Sequence, residues 1–313
     1  MSLFGCAVFL TGKALAADVL FVASQNASRI TIIDPDAQRD QRIVSLASQP
    51  VGLALSPDGT HLYSTHPESG RIGVVDTMNG SVDKTFPYPG TPFGVAVDKD
   101  GRYLFVDDWN RNVLSRIDAA SGVIVTEAPV GRSPAGIAID PERRHIFVAD
   151  RESDAVSVQD ADTLAMVATI PVGRAPFAIT YSRATGRAYV ANVHSRDLSI
   201  IDADSLAVLA TLVVGSVPYG VAASPDGTLI LVSDQAGGVV SMIDAKTLEI
   251  TARIKVGQYP EGIAFGSTAD RAYVANWFSD SVSVLDLVHR TEVGQIKVGS
   301  GPRYLAVFQA NSH

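Results

Sequence analysis

Apolar residues along this chain fall in short runs, many of them alternating with small polar residues, and turn-forming clusters part the runs. Residues 145–149 (HIFVA), 155–158 (AVSV) and 166–170 (MVATI) are three such runs. Between them stand clusters such as Asp140-Pro141-Glu142-Arg143 and Asp160-Ala161-Asp162-Thr163. β-Branched and aromatic side chains on a period near two suit pleated strands, and no 3.6-residue helical period runs through them. Proline and glycine keep to the gaps, where they break no hydrogen-bond ladder.

The runs recur at a fixed interval. An aspartate closes the third run of every unit at Asp34, Asp76, Asp118, Asp160, Asp202, Asp244 and Asp286, each 42 residues after the last. A proline opens every unit at Pro50, Pro92, Pro134, Pro176, Pro218, Pro260 and Pro302, again 42 apart. Two markers in phase seven times define the repeat. In the unit that opens at Pro134, strand A covers 136–139, B 145–149, C 155–158 and D 166–170. Four strands in a unit of this length make one blade of a β-propeller, so the sequence predicts an all-β, seven-bladed ring. The first unit begins at its strand B, residues 19–23, and the chain finishes on a strand A with no blade after it, residues 301–307. Pairing these two completes a blade and removes two exposed sheet edges.

Of 313 residues, 46% are apolar, enough for a large core, and the expected domain is a single propeller over 17–313. Residues 1–16 read as a signal peptide: 4–10 are apolar, and Ala14-Leu15-Ala16 forms an A-x-A cleavage site. The usual positive n-region is missing. Export to the periplasm or beyond is the expectation. No later stretch approaches the roughly 18 apolar residues of a membrane span. Cys6, the sole cysteine, lies in that leader, so the mature chain would lack disulfides, cysteine-ligated zinc and c-type haem attachment. A net charge of −8 repels phosphate backbones unless a local basic patch intervenes.

Ala188-Tyr189-Val190-Ala191-Asn192 and Ala272-Tyr273-Val274-Ala275-Asn276, with near variants at Phe147-Val148-Ala149-Asp150 and Phe21-Val22-Ala23-Ser24, carry a likeness. Together with the VGxxPxGIA and V-x-V-x-D segments, the chain from 19 to 307 resembles the YVTN-family β-propeller repeats. The resemblance implies secreted, periplasmic or surface-layer-like propellers in the quinoprotein amine dehydrogenase-like superfamily. Relatives of nitrous oxide reductase and cytochrome d1 domains are neighbours there. It also implies single-stranded DNA binding for some periplasmic members.

Candidate chemistry gathers on the face that carries the D-to-A connections and B–C loops, because the opposite face keeps to turns such as Ser56-Pro57-Asp58-Gly59 and Ser224-Pro225-Asp226-Gly227. The residue after each proline is expected to ring the channel mouth: Val51, Phe93, Ala135, Phe177, Tyr219, Glu261 and Arg303. Glu261 and Arg303 sit on neighbouring blades within reach of an ion pair. That set reads either as a plug of aromatics or as a pocket in which Arg303 holds an anion. Tyr304 stands where most blades carry glycine. A second ring, Ser24, His66, Asp108, Asp150, Asn192, Asp234 and Asn276, follows the B strands, and its Asp and Asn members suit bonding to turn backbone. His66 is the exception. Just beyond it stand Trp109, Arg151, His194, Trp277 and Phe278, a composition suited to stacking or to capping the blades.

Catalytic templates are missing: the chain holds no HExxH, GxSxG or P-loop. Of the six histidines only His66 and His194 belong to the candidate face, three blades apart, so no metal site and no cofactor is expected. No repeat between Pro50 and Pro302 gains a residue, and without loops to enclose a substrate the face suits binding rather than catalysis. The expected function is a non-enzymatic scaffold for an unknown protein or small-molecule partner. The alternatives are a lactonase- or lyase-type enzyme or redox-cofactor auxiliary at the channel mouth, and single-stranded nucleic acid binding.

Overall fold

The computed structural model describes residues 18–37 and 42–309, so the expected leader over 1–16, with Cys6, and the C-terminal His313 lie outside the described residues. Among the described residues, twenty-eight strands form seven four-stranded antiparallel sheets. Each sheet is one blade, with strand A innermost and strand D at the rim. Blade 4, for example, is built of Pro134–Asp140, His145–Asp150, Ala155–Asp160 and Met166–Pro171. The ring closes as expected: the last strand, Pro302–Gln309, is strand A of the first blade and pairs antiparallel with Asp18–Ser24. Val19 faces Phe308 and Ala23 faces Tyr304 across that ladder. Asp18 reinforces the closure, accepting from the Ser267 N–H and the Tyr273 hydroxyl, both 2.8 Å away on the seventh blade.

Strands B and C are buried nearly throughout because neighbouring blades cover both faces, as in Ala155–Asp160. The outer strand instead alternates, and Ala207–Val213 exposes every second residue. Pro87, Pro129 and Pro171 end three of these rim strands, where a missing N–H discourages pairing with another chain. The phase-locked aspartates cap turns: the carboxylates of Asp76, Asp118, Asp160, Asp202, Asp244 and Asp286 each accept a backbone N–H three residues on, at 2.8–2.9 Å.

Glycine sets the inner radius. A Cβ at Gly52, Gly136, Gly220 or Gly262 would lie within 2.6 Å of the carbonyl oxygen of Phe93, Phe177, Glu261 or Arg303 on the next blade. Hydroxyls on strand B lock this approach. Thr65 Oγ1 accepts from the Gly52 N–H and donates to the Phe93 carbonyl. Ser233 Oγ accepts from the Gly220 N–H at 2.8 Å and donates to the Glu261 carbonyl at 2.7 Å.

Asp107 holds the same place in the third blade. Its Oδ1 accepts from the Gly94 N–H at 2.8 Å, and its Oδ2 lacks a hydrogen-bond partner though the residue is fully buried. Burial, with smaller contributions from Asp150 and Asp108, pushes its carboxyl up to about 7. A protonated Asp107 is thereby both acceptor and donor, as the threonine and serine are. The folded chain then keeps a proton that the unfolded chain releases near pH 4, so stability present in acid is lost as pH rises toward 7. Asp107→Asn should keep its stability at pH 5 and exceed the wild type at pH 8 by roughly 1–3 kcal/mol in urea unfolding. A variant less stable than wild type at pH 8 would contradict a neutral Asp107.

Candidate functional site

The post-proline residues converge at the mouth because each opens an inner strand that glycine allows to press against its neighbour. Val51 and Ala135 are small and buried. The other five form one constellation around Arg303. Its guanidinium carbon lies 5.5 Å from the ring centre of Phe93 and 5.9 Å from those of Phe177, Tyr219 and Trp277. Each distance falls within cation–π range. The rings also touch one another, Phe93 meeting Phe177 edge-on at 5.9 Å and Phe177 meeting Tyr219 at 4.2 Å.

Hydrogen bonds orient the arginine. Nη1 donates to Gln25 Oε1 at 2.9 Å and Nη2 to the Tyr219 hydroxyl at 2.5 Å. Nε faces Glu261 Oε2 at 3.6 Å, close enough to pair charges and too long for a hydrogen bond. Both of these atoms are buried and without a hydrogen-bond partner. Glu261 Oε1 accepts from Gln235 Nε2 at 2.9 Å. Burial outweighs the attraction of Arg303 and pushes the Glu261 carboxyl up to about 7. Tyr304 lines the channel below, and burial raises its hydroxyl to about 12, so it stays neutral. The channel itself encloses about 140 Å³ between the inner strands, Tyr304 taking the place that glycine holds in most blades.

The two rings expected from the sequence are not separate. Trp277 joins the cage around Arg303, and Trp109 packs on Phe93 at 4.8 Å with the Arg151 guanidinium 5.9 Å from its own ring. Phe278 stands apart, 64% exposed, against Tyr259 at 4.8 Å. His194 is exposed on its loop, tied through backbone contacts to Arg174. His66 does not reach the face. It is buried, with Nδ1 bonded to the Ser48 carbonyl at 3.0 Å and Nε2 to Ser64 Oγ at 2.9 Å, and burial lowers its pKa. Asp108 and Asp234 tie two segments together: each accepts from its own loop, at the Arg111 and Gly237 N–H, and from the D-to-A connection, at Thr91 and at Ser216 and Val217. Asp150 accepts instead from the Ser157 hydroxyl.

Sequence reasoning missed Gln25, Gln235 and Tyr259. Gln25 and Gln235 occupy the repeat position of Trp109, Arg151 and Trp277, one residue past strand B, so the 42-residue register marks them. Tyr259 precedes its proline with φ at 58°, a conformation costly for a bulky side chain that Ser133, Ala175 and Gly301 share at the same repeat position.

The chain is similar to known propellers. The family model described as YNCE-like beta-propeller matches residues 137–225. No curated protein matches the sequence. Among solved structures, Kuenenia stuttgartiensis Hydrazine Synthase aligns at 20% identity with a TM-score of 0.75, over 84% of this chain and 96% of that one. A functionally unknown protein from Desulfotomaculum acetoxidans aligns at 16% identity and a TM-score of 0.83, over 94% and 99%. Dihydro-heme d1 dehydrogenase NirN, in complex with DHE, aligns at 18% and 0.70, over 97% and 78%. At these identities the likeness is one of fold.

Because Arg303 and Glu261 lose water together, removing one strands the other. A double-mutant cycle of Arg303→Met and Glu261→Gln in urea at pH 8 should give a coupling of about 1–3 kcal/mol. Additive effects would mean that the 3.6 Å pair carries no energy.

Proposed function

We propose that this propeller is a non-enzymatic binding scaffold whose ligand or protein partner docks on the B–C-loop face, centred on the Arg303 mouth. The observation that carries this reading is the cage itself: a buried guanidinium ringed by four aromatic side chains at the entrance of a channel. Binding sites combine apolar and aromatic walls with a few convergent polar groups, and this mouth has that makeup. Half-buried Trp109, packed on Phe93, extends the aromatic surface outward. Of the two histidines that a hydrolytic reading could use as base, His66 has both ring nitrogens engaged below the surface and His194 is exposed on its loop.

Both tryptophans of the chain belong to this surface, so their fluorescence reports on it directly. The test is a quenching and thermal-shift screen over small carboxylates, neutral aromatics, sugars and quaternary ammonium ions, with a parallel pull-down from envelope extract. Binding should fall at least tenfold in Trp277→Ala and persist in Met78→Ser, which alters a 78%-exposed residue on a C–D turn of the opposite face. No binding by the wild type, or equal binding by both variants, would overturn the assignment.

Export belongs to the same proposal. The leader reading of residues 1–16 expects a mature chain that begins at Ala17. Intact mass of the protein from the periplasmic fraction or the medium should show that start. An unprocessed chain in the cytoplasm would contradict it.

A further inference from the structure

The Arg303–Glu261 pair is buried, charged and incompletely bonded. Gln25 and Tyr219 accept from the guanidinium but neutralise none of its charge. Among the described residues, Glu261 is the only carboxylate within ion-pairing distance of it. The two unpartnered atoms face each other across 3.6 Å without a bond. A charge in an aromatic frame needs a counter-ion, and this one is held loosely.

Resting on the reading of the mouth as a binding site, we propose that it takes a small aromatic carboxylate, which replaces Glu261 as counter-ion to Arg303 while Glu261 takes up one proton. Charge is conserved: one anion and one proton enter together, and no bond to the ligand forms or breaks. The carboxylate meets the guanidinium, and the aryl group lies among Phe93, Trp109 and Trp277. The ligand enters from the loop face, where Trp109 and Trp277 stand over the inner ring.

Burial already leaves the Glu261 carboxyl poised to protonate, at about 7. The groups around it do not compete for that proton. Tyr219 and Tyr304 have their hydroxyls held above the ordinary range by burial, Gln235 is neutral, and Arg303 stays charged. Asp107, which acts on Tyr304, and Asp150, which acts on Asp107, are buried carboxyls also raised into this window, so the Glu261→Gln variant isolates the contribution of Glu261. An anion competes with ionised Glu261, so affinity is full in acid and declines as pH rises through the Glu261 value.

The experiment is a calorimetric titration of the full chain with benzoate from pH 5 to 9, with benzamide and benzyltrimethylammonium alongside. Benzoate should bind with a plateau below pH 6 and weaken tenfold per unit above pH 7, with one proton taken up per anion at pH 8 in two buffers of different ionisation enthalpy. Glu261→Gln should bind benzoate at the acid-plateau affinity at every pH, and Arg303→Gln should lose at least thirtyfold. Benzoate and benzamide binding alike at all pH values would overturn the exchange and leave the mouth a binding site. Preference for benzyltrimethylammonium would make it a cation cage. No binding of any probe, with an empty screen as well, would remove the site itself.

Discussion

The close approach of neighbouring inner strands governs this molecule. Glycine at 52, 136, 220 and 262 lets the carbonyl of the next blade come where a methyl group would stand. That contact sets the radius of the ring and reduces its axis to a narrow channel. It also draws Phe93, Phe177, Tyr219, Glu261 and Arg303 toward one point. The strand B hydroxyls of Thr65 and Ser233 bond the same carbonyl layer, and Asp107 in their place bonds the Gly94 N–H, so the inner strands position the post-proline residues of the mouth. Sites on rigid strands hold their geometry better than sites on loops.

Burial at the inner ring has one electrostatic consequence in two places. Asp107 and Glu261 both lose more hydration than their partners restore, and both carboxyls rise to about 7. For Asp107 the outcome is structural, since the neutral acid keeps the Gly94 N–H bond without a buried charge. For Glu261 the outcome faces solvent, because its partner Arg303 stands at the mouth with 15% of its side chain exposed. The same physics that stabilises a closed ring in acid leaves a replaceable counter-ion at its entrance.

The ring was legible in full because every determinant of it is periodic. Prolines, turn aspartates and alternating strands repeat without insertion, and the unpaired strand A at the end has one partner to find. The mouth was legible in outline, since the post-proline positions share that period, including the neighbouring Glu261 and Arg303. Its finer structure depends on directions that a period does not carry. His66 follows strand B as Asp108 does, yet its larger ring turns inward to bond Ser48 and Ser64. Trp109 and Trp277 lean over the channel and merge with the inner ring. Gln25 and Gln235 are ordinary loop residues until the fold sets them beside the two charges. Tyr259 shares its left-handed backbone with Ser133, Ala175 and Gly301 at the same repeat position, and only its ring, set against Phe278, is particular to this blade.

A crystal structure of the protein soaked with benzoate below pH 6 tests the central claim most directly. The expected result is a carboxylate within hydrogen-bonding distance of the Arg303 guanidinium, its ring against Trp277 or Trp109, and Glu261 withdrawn from the pair. Benzoate bound elsewhere, with Arg303 and Glu261 still facing each other as they do now, would contradict it.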